Sequence, residues 1–153
     1  MRVNGLERMV AGFDRLARRR GRAAELPAHL DVGLRGEDAA CFHLMRNGYQ
    51  VVARRWSGGN LPGDIDLIAW QGSLLCVIEV KTRSTRDATP AEAAVDNHKR
   101  ATLRRLAWRY VRQLPRPAPP QVRFDVISVY LASGNKQIVH FENAFAWKER
   151  RQD

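Results

Sequence analysis

The sequence predicts an α/β domain in which helices pack on a mixed β-sheet. Short apolar runs rich in β-forming residues alternate with stretches whose apolar residues recur at helical spacing. A two-residue loop, Gly72-Ser73, joins two of these runs as a hairpin. With 153 residues, the chain is long enough for one domain with a real core. The predicted order is α-β-β-β-α-β, with one added strand.

The first 30 residues read as an extension in front of this domain. Apolar residues recur at helical spacing from Leu6 to Ala17, and the basic run from Arg18 to Arg22 follows. The pattern fits a basic amphipathic helix and, equally, a frayed tail. We expect the domain at residues 31–147 and a charged tail at residues 148–153.

The domain should open with a helix from about Leu34 to Asn47, followed by a strand over residues 49–56. At 100° per residue, Glu37 lies near the middle of the apolar stripe of this helix and therefore faces inward. An acid so near a helix start is also favoured by the helix dipole. The two interpretations of Glu37 are compatible.

The hairpin loop sets the register of the next two strands. Glycine in the first loop position suits a type II′ turn, which pairs Gln71 with Leu74. Continued down the ladder, this register places Asp66 opposite Glu79 and Asp64 opposite Lys81.

These charges interrupt runs that otherwise read as buried strands. A carboxylate in such a run costs several kcal/mol unless a cation or hydrogen bonds satisfy it. A solvated face with weak cross-strand salt bridges is the alternative. Apolar neighbours on the same face, Ile68, Leu75 and Val77, favour a covered cluster. The sequence therefore predicts a metal site with an ammonium group beside it.

A second helical region follows the hairpin. Thr89-Pro90-Ala91-Glu92 is typical of a helix start, and Asp96-Asn97 is a second N-cap from which the main helix runs to about Leu114. Lys99 projects onto the buried face, where it reaches the acidic cluster or a phosphate, or else extends its amine to solvent. The apolar strand at residues 122–131 should be central. A turn and an edge strand from Lys136 to Phe141 complete the sheet.

Composition narrows the function classes. The formal net charge is +10, and 22 of the 26 cations are arginine. This indicates an anionic partner such as nucleic acid, although an arginine-rich proteome gives the same bias. Cys41 and Cys76 lie in apolar surroundings outside any CxxC motif, as expected for reduced core residues of a cytoplasmic protein. The histidines lack zinc-ligand spacing, and no apolar stretch is long enough to cross a membrane.

Together these residues resemble the restriction-endonuclease-like superfamily, the PD-(D/E)xK nucleases. Within it, the chain resembles the YraN family of bacterial proteins, which are similar to Holliday-junction resolvases. The resemblance covers about residues 33 to 130 and implies a restriction-endonuclease-like core. Asp64 stands where relatives usually carry Glu, and Ile65 replaces the Pro of the motif. The matching residues are Gly36-Glu37, Gly63-Asp64-Ile65-Asp66-Leu67-Ile68, Glu79-Val80-Lys81-Thr82-Arg83, Lys99 and Tyr110.

The resemblance implies that Asp66, Glu79 and Lys81 form the catalytic core, with Glu37 as a further acid. Mg²⁺ or Mn²⁺ would be held by Asp66, Glu79, Glu37 and the Val80 carbonyl, with Asp64 as an auxiliary residue. Candidate phosphate contacts are Arg54, Arg55, Arg83, Lys99, Arg100 and Arg104.

Three functions remain open at this point. The first is a metal-dependent DNA nuclease that selects branched or damaged structure. The second is a non-catalytic nucleic-acid-binding protein that retains the nuclease fold. The third is a protein-partner role for the basic surface. Resolvase-like relatives dimerise, and the edge strand near Lys136 would suit a homodimer, although the sequence does not demand one.

Overall fold

The computed structural model describes residues 28–83, 95–132 and 135–147. Two helices and five strands lie in these ranges. The predictions for the extension at residues 1–27, the helix start at residues 89–92 and the tail at residues 148–153 fall outside them. The elements are α1 Ala28–Arg46, β1 Gln50–Ser57, β2 Asp64–Gln71, β3 Leu74–Arg83, α2 Asn97–Gln113, β4 Val122–Ala132 and β5 Asn135–Phe145.

The strands form one sheet in the order β1-β2-β3-β4-β5. β3 and β4 are parallel and the other neighbours are antiparallel. Helix α2 provides the crossover between the parallel pair, as parallel strands require. The predicted α/β class and order are confirmed, and the sheet is consistent with a restriction-endonuclease-like core. β4 is central and β5 is an edge strand, as the sequence indicates.

The core consists of two layers because alternate strand residues point to opposite faces of the sheet. On one face, Cys76 and Ile78 of β3 pack with Leu44 of α1. On the other face, Leu75 and Val77 pack with Leu103 and Leu106 of α2. The two cysteines are buried free thiols. No helix in the described ranges is both long and apolar enough to cross a bilayer.

The hairpin follows its predicted register. Gln71 pairs with Leu74, and the pairing continues to Leu67 and Ile78. Gly72 has φ +58°, whereas Ser73 is not among the described residues with positive φ. One positive φ at the first loop position is the type II′ pattern. The predicted N-cap is also present, because Asp96 Oδ1 accepts a hydrogen bond from Lys99 N at 2.8 Å.

Helix α1 begins at Ala28, six residues before the predicted start at Leu34, so the expected boundary at residue 30 falls inside it. Gly33 stands directly before the predicted start and lies inside the observed helix. One glycine costs a helix only about 1 kcal/mol relative to alanine, and packing readily outweighs that cost.

Gly36 brings α1 into close contact with β3. A Cβ atom built on Gly36 would lie 1.8 Å from Thr82 Oγ1 and 2.9 Å from Thr82 Cβ. No side chain fits there unless the helix moves away from the strand. Gly36 therefore fixes the position of the next residue, Glu37, above the end of β3.

We expect Gly36→Ala and Gly33→Ala to shift stability in opposite directions. Gly36→Ala should lower the free energy of unfolding by about 1–3 kcal/mol, because the added methyl overlaps Thr82. At Gly33, no atom of the described residues lies within 4 Å of such a methyl, so Gly33→Ala should raise that free energy by about 0.5–1 kcal/mol. Urea unfolding of both variants tests this. Equal effects would show that α1 does not pack on β3 in this way.

Candidate functional site

The β2–β3 ladder ends at the pair of Leu67 with Ile78. The next residues outward are two of the predicted site acids, Asp66 on β2 and Glu79 on β3. There the Asp66 carboxylate accepts a hydrogen bond from Val80 N at 2.8 Å through Oδ2. The side chain thus takes a strand N–H that a continued ladder would have used. The predicted ladder pairs of Asp66 with Glu79 and of Asp64 with Lys81 therefore do not form.

Glu79 lies beside this opening and is almost fully buried, with 5% of its side chain exposed. Lys81 Nζ is 3.0 Å from Glu79 Oε1, and Lys99 Nζ is 3.3 Å from Oε2. The second contact is an ion pair without hydrogen-bond alignment, since Oε2 is a buried atom with no hydrogen bond to the described residues. One carboxylate oxygen therefore remains incompletely satisfied.

Asp66 holds a proton more tightly than a solvent-exposed aspartate does. Burial raises the pKa of Asp66 to about 7, and the charges of Glu79 and Glu37 act in the same direction. The hydrogen bond from Val80 and the charge of Lys99 oppose this rise but do not cancel it. The site thus favours binding a proton or another cation near neutral pH.

Glu37 approaches the site from α1 but is held by an arginine. Its Oε2 lies 2.6 Å from Arg55 Nε. In the described ranges, no three His, Cys, Asp or Glu side chains are grouped to hold a metal ion. The structure therefore places Asp66 and Glu79 together, with Glu37 nearby but paired elsewhere. Asp64 is half-buried at the start of β2 and pairs with Ser57 of β1.

The arginines predicted to contact phosphate have partners within the protein. Arg54 forms an ion pair with Asp38, next to the pair of Arg55 with Glu37. Arg83 also interacts within the chain. Phosphate binding by these residues would therefore replace existing contacts.

Two further cations of α2 contact backbone carbonyl groups of neighbouring segments. Arg100 Nε donates to Val95 O at 2.8 Å, and Arg104 Nε donates to Ala146 O at 3.0 Å. Both guanidinium groups lie over the Phe145 ring. Their contacts stabilise the fold, and a role in phosphate binding stays a prediction.

The sequence reading missed a second buried acid, Asp125 on β4. Arg123 grips it through two hydrogen bonds of 2.8 Å, while His140 Nε2 and Asn143 N each lie 2.9 Å from its carboxylate. Burial alone would raise the pKa of Asp125, but these hydrogen bonds outweigh it and hold the pKa below its usual value. An acid within an apolar strand was the available signal.

The Asp125 network borders a cavity of about 330 Å³ lined by His43, Asn47, Tyr49, Gln71, His140 and Glu142. Gln71 is five residues from Asp66 along β2, which is roughly 17 Å in a strand. The cavity is therefore separate from the Asp66–Glu79 site.

Ser128 is a further buried polar residue that the sequence analysis did not identify. It pairs with Lys81 across the parallel strands, and its Oγ is buried without a hydrogen bond to the described residues. A lone serine in an apolar strand carries no sequence signal of its own.

The raised pKa of Asp66 predicts a specific pH dependence. Between about pH 4 and pH 7, the folded protein keeps a proton on Asp66 that the unfolded chain has released. Ionisation of Asp66 therefore lowers the free energy of unfolding as the pH rises, by at most about 1.4 kcal/mol per pH unit. We expect Asp66→Asn to become progressively more stable relative to the parent from pH 5 to pH 8. Urea unfolding with a chelator present measures this, and a difference that is constant with pH would contradict it.

Comparison with known proteins agrees with this architecture. The model of the "Uncharacterised protein family UPF0102" matches residues 36–129. A UPF0102 protein of Koribacter versatilis is 46% identical over 119 residues, which cover 78% of this chain and 82% of that protein. One from Porphyromonas gingivalis is 42% identical over 119 residues, covering 76% and 85%. One from Thermodesulfovibrio yellowstonii is 35% identical over 119 residues, covering 77% and 98%. The chain therefore belongs to the UPF0102 family, also called the YraN family, within the restriction-endonuclease-like superfamily.

Proposed function

We propose that this protein is a metal-dependent nuclease that hydrolyses phosphodiester bonds of DNA. One observation carries the proposal: the half-buried carboxylate of Asp66 and the buried carboxylate of Glu79 lie close enough for their charges to interact, beside the ammonium group of Lys81. The family membership is consistent with this chemistry.

The donor set suits a hard divalent cation. Mg²⁺ prefers oxygen ligands and usually keeps several waters, so one or two protein carboxylates suffice to hold it. Asp66 and Glu79 would provide them, with the Val80 carbonyl as a further oxygen. Such an ion would supply charge neutralisation at the phosphate.

The remaining residues have roles that follow from their positions. Lys81, whose Nζ lies 3.0 Å from Glu79 Oε1, would orient or deprotonate the attacking water, or stabilise negative charge at phosphorus. Lys99 neutralises the other side of Glu79 and would be free to contact phosphate once a divalent ion takes over that role.

The positive charge of helix α2 supports the proposal of an anionic substrate. It carries six cations and no acid: Lys99, Arg100, Arg104, Arg105, Arg109 and Arg112. Contacts of this kind bind the sugar–phosphate backbone and carry no base sequence. We therefore propose selection of branched or damaged DNA by shape, in a cytosolic protein whose thiols stay reduced.

A non-catalytic nucleic-acid-binding protein is the second candidate. It is favoured by the absence of a three-residue metal cluster in the described ranges and by the engagement of Glu37 with Arg55. In that case the basic surface would bind DNA while the acids remain without a metal.

Cleavage of branched and linear DNA in Mg²⁺ or Mn²⁺ distinguishes the two candidates. We expect the parent to cut, and Asp66→Asn and Glu79→Gln to lose at least about a hundred-fold in rate, because each removes a carboxylate ligand of the cation that would stabilise the negatively charged transition state. Glu142→Gln, which changes an exposed carboxylate outside the site, should cut like the parent.

The outcomes separate cleanly. A Glu79→Gln variant that cuts as fast as the parent would rule out this site. A parent that binds DNA in a salt-dependent manner but does not cut would favour the binding protein. If DNA does not bind even at low salt, only a protein-partner role remains.

A further inference from the structure

Arg55 occupies an unusual place beside the acids. On β1, Arg54 pairs with Leu67 and Trp56 pairs with Ile65, which leaves Arg55 across from Asp66. Its φ is +47°, a left-handed conformation that is uncommon for a residue other than glycine. The irregular backbone therefore lies directly opposite the residue at which the β2–β3 ladder opens.

The guanidinium of Arg55 is only partly engaged. Its Nε contacts Glu37 Oε2 at 2.6 Å, and 45% of its side chain is exposed, against 18% for Glu37. This single contact lies at the boundary between the acidic site and solvent. An anion arriving from solvent would meet the arginine before it meets the carboxylates.

We propose that Arg55 couples nucleic-acid binding to assembly of the metal site. A backbone phosphate takes the guanidinium from Glu37, and the released Glu37 carboxylate joins Asp66 and Glu79 around a divalent cation. Arg55 is thus a positioning residue. This inference rests on the proposed function, because it requires that Asp66 and Glu79 bind a cation.

The hydrogen-bonding geometry of arginine explains why a phosphate would compete with Glu37 for the guanidinium of Arg55. A phosphate binds arginine most favourably through two parallel hydrogen bonds, commonly with Nε as one donor. Glu37 already occupies that nitrogen. A half-exposed ion pair with one contact is weak, so exchange for a phosphate costs little.

The released carboxylate would not have far to move. Gly36 packs against Thr82 and holds Glu37 over the end of β3. The charge of Glu37 already acts on Asp66 across the site. Because linked equilibria are reciprocal, a phosphate that strengthens cation binding is itself bound more strongly when the cation is present.

The adjacent pair, Arg54 with Asp38, provides a matched control. It joins the same strand to the same helix and carries the same charges. Unlike Glu37, Asp38 is not among the main causes of the raised pKa of Asp66. Removing Arg54 therefore changes the net charge as removing Arg55 does, without releasing Glu37.

The test measures Mn²⁺ binding to the full-length protein by titration calorimetry, with no DNA present. Arg55→Gln should bind Mn²⁺ about ten-fold more tightly than the parent, within the usual range of coupling between sites. Arg54→Gln should change the affinity by less than about two-fold, the small effect expected of an exposed charge. Adding Glu37→Gln to Arg55→Gln should abolish the gain, whereas adding Asp38→Asn to Arg54→Gln should have little effect. Circular dichroism verifies that each variant is folded.

Three results of these Mn²⁺ titrations would contradict the inference, and each identifies a different step as wrong. Equal gains for Arg55→Gln and Arg54→Gln would reduce the effect to net charge and overturn the inference. If Asp66→Asn abolishes Mn²⁺ binding but Arg55→Gln binds like the parent, the proposed metal site stands and the inference falls. If neither the parent nor any variant binds Mn²⁺, the proposed metal site fails, and the role of Arg55 fails with it.

Discussion

The half-buried carboxylate of Asp66, which accepts a hydrogen bond from a strand N–H, is the constraint on which the rest of the site depends. The hydrogen bond from Val80 to Asp66 ends the β2–β3 ladder and opens the sheet between the two strands. This opening allows Glu79 and the two lysines to gather beside Asp66. If the ladder continued, backbone hydrogen bonds would occupy the same space. The geometry of the candidate site thus arises from a local competition between a side chain and the backbone.

The sheet carries acids at two places, around Asp125 and around Asp66, and the surroundings of these two carboxylates shift their pKa values in opposite directions. Asp125 is surrounded by donors, and its pKa is held below the usual value. Asp66 has one backbone donor and two nearby acids, and its pKa is raised to about 7. A buried charge that only stabilises a fold is normally compensated by its own partners. Burial is the largest cause of the raised pKa of Asp66, and groups with such perturbed pKa values are often functional.

The sequence predicted those features that depend on near neighbours. The Gly72-Ser73 loop fixed the hairpin register, and Asp96 capped α2, since a turn or a cap is determined within a few residues. The position of Lys99 followed from helical periodicity. The early start of α1 was missed, because packing outweighed the low helix propensity of Gly33.

Long-range charge pairing could not be predicted from the sequence. With 22 arginines and 16 acids in the chain, many pairings are compatible with the same pattern. Neither the pairing of Glu37 with Arg55 nor the network around Asp125 has a spacing that identifies it. Both depend on which elements the completed sheet brings together, and so does the opening of the ladder at Asp66.

These ion pairs reduce the energy that the arginines of the protein would gain on binding a phosphate. An arginine that already contacts a carboxylate must give up that contact, or share it, when it binds a phosphate. The gain in binding energy is then smaller than the formal net charge suggests, and the displaced acid remains nearby. At most positions this acid simply returns to solvent. Under the proposal for Arg55, the carboxylate of Glu37 would instead remain beside Asp66 and Glu79, where it would strengthen a site for a cation. The excess of arginine would then attract the anion, and the placement of Arg55 would link binding of that anion to binding of the cation.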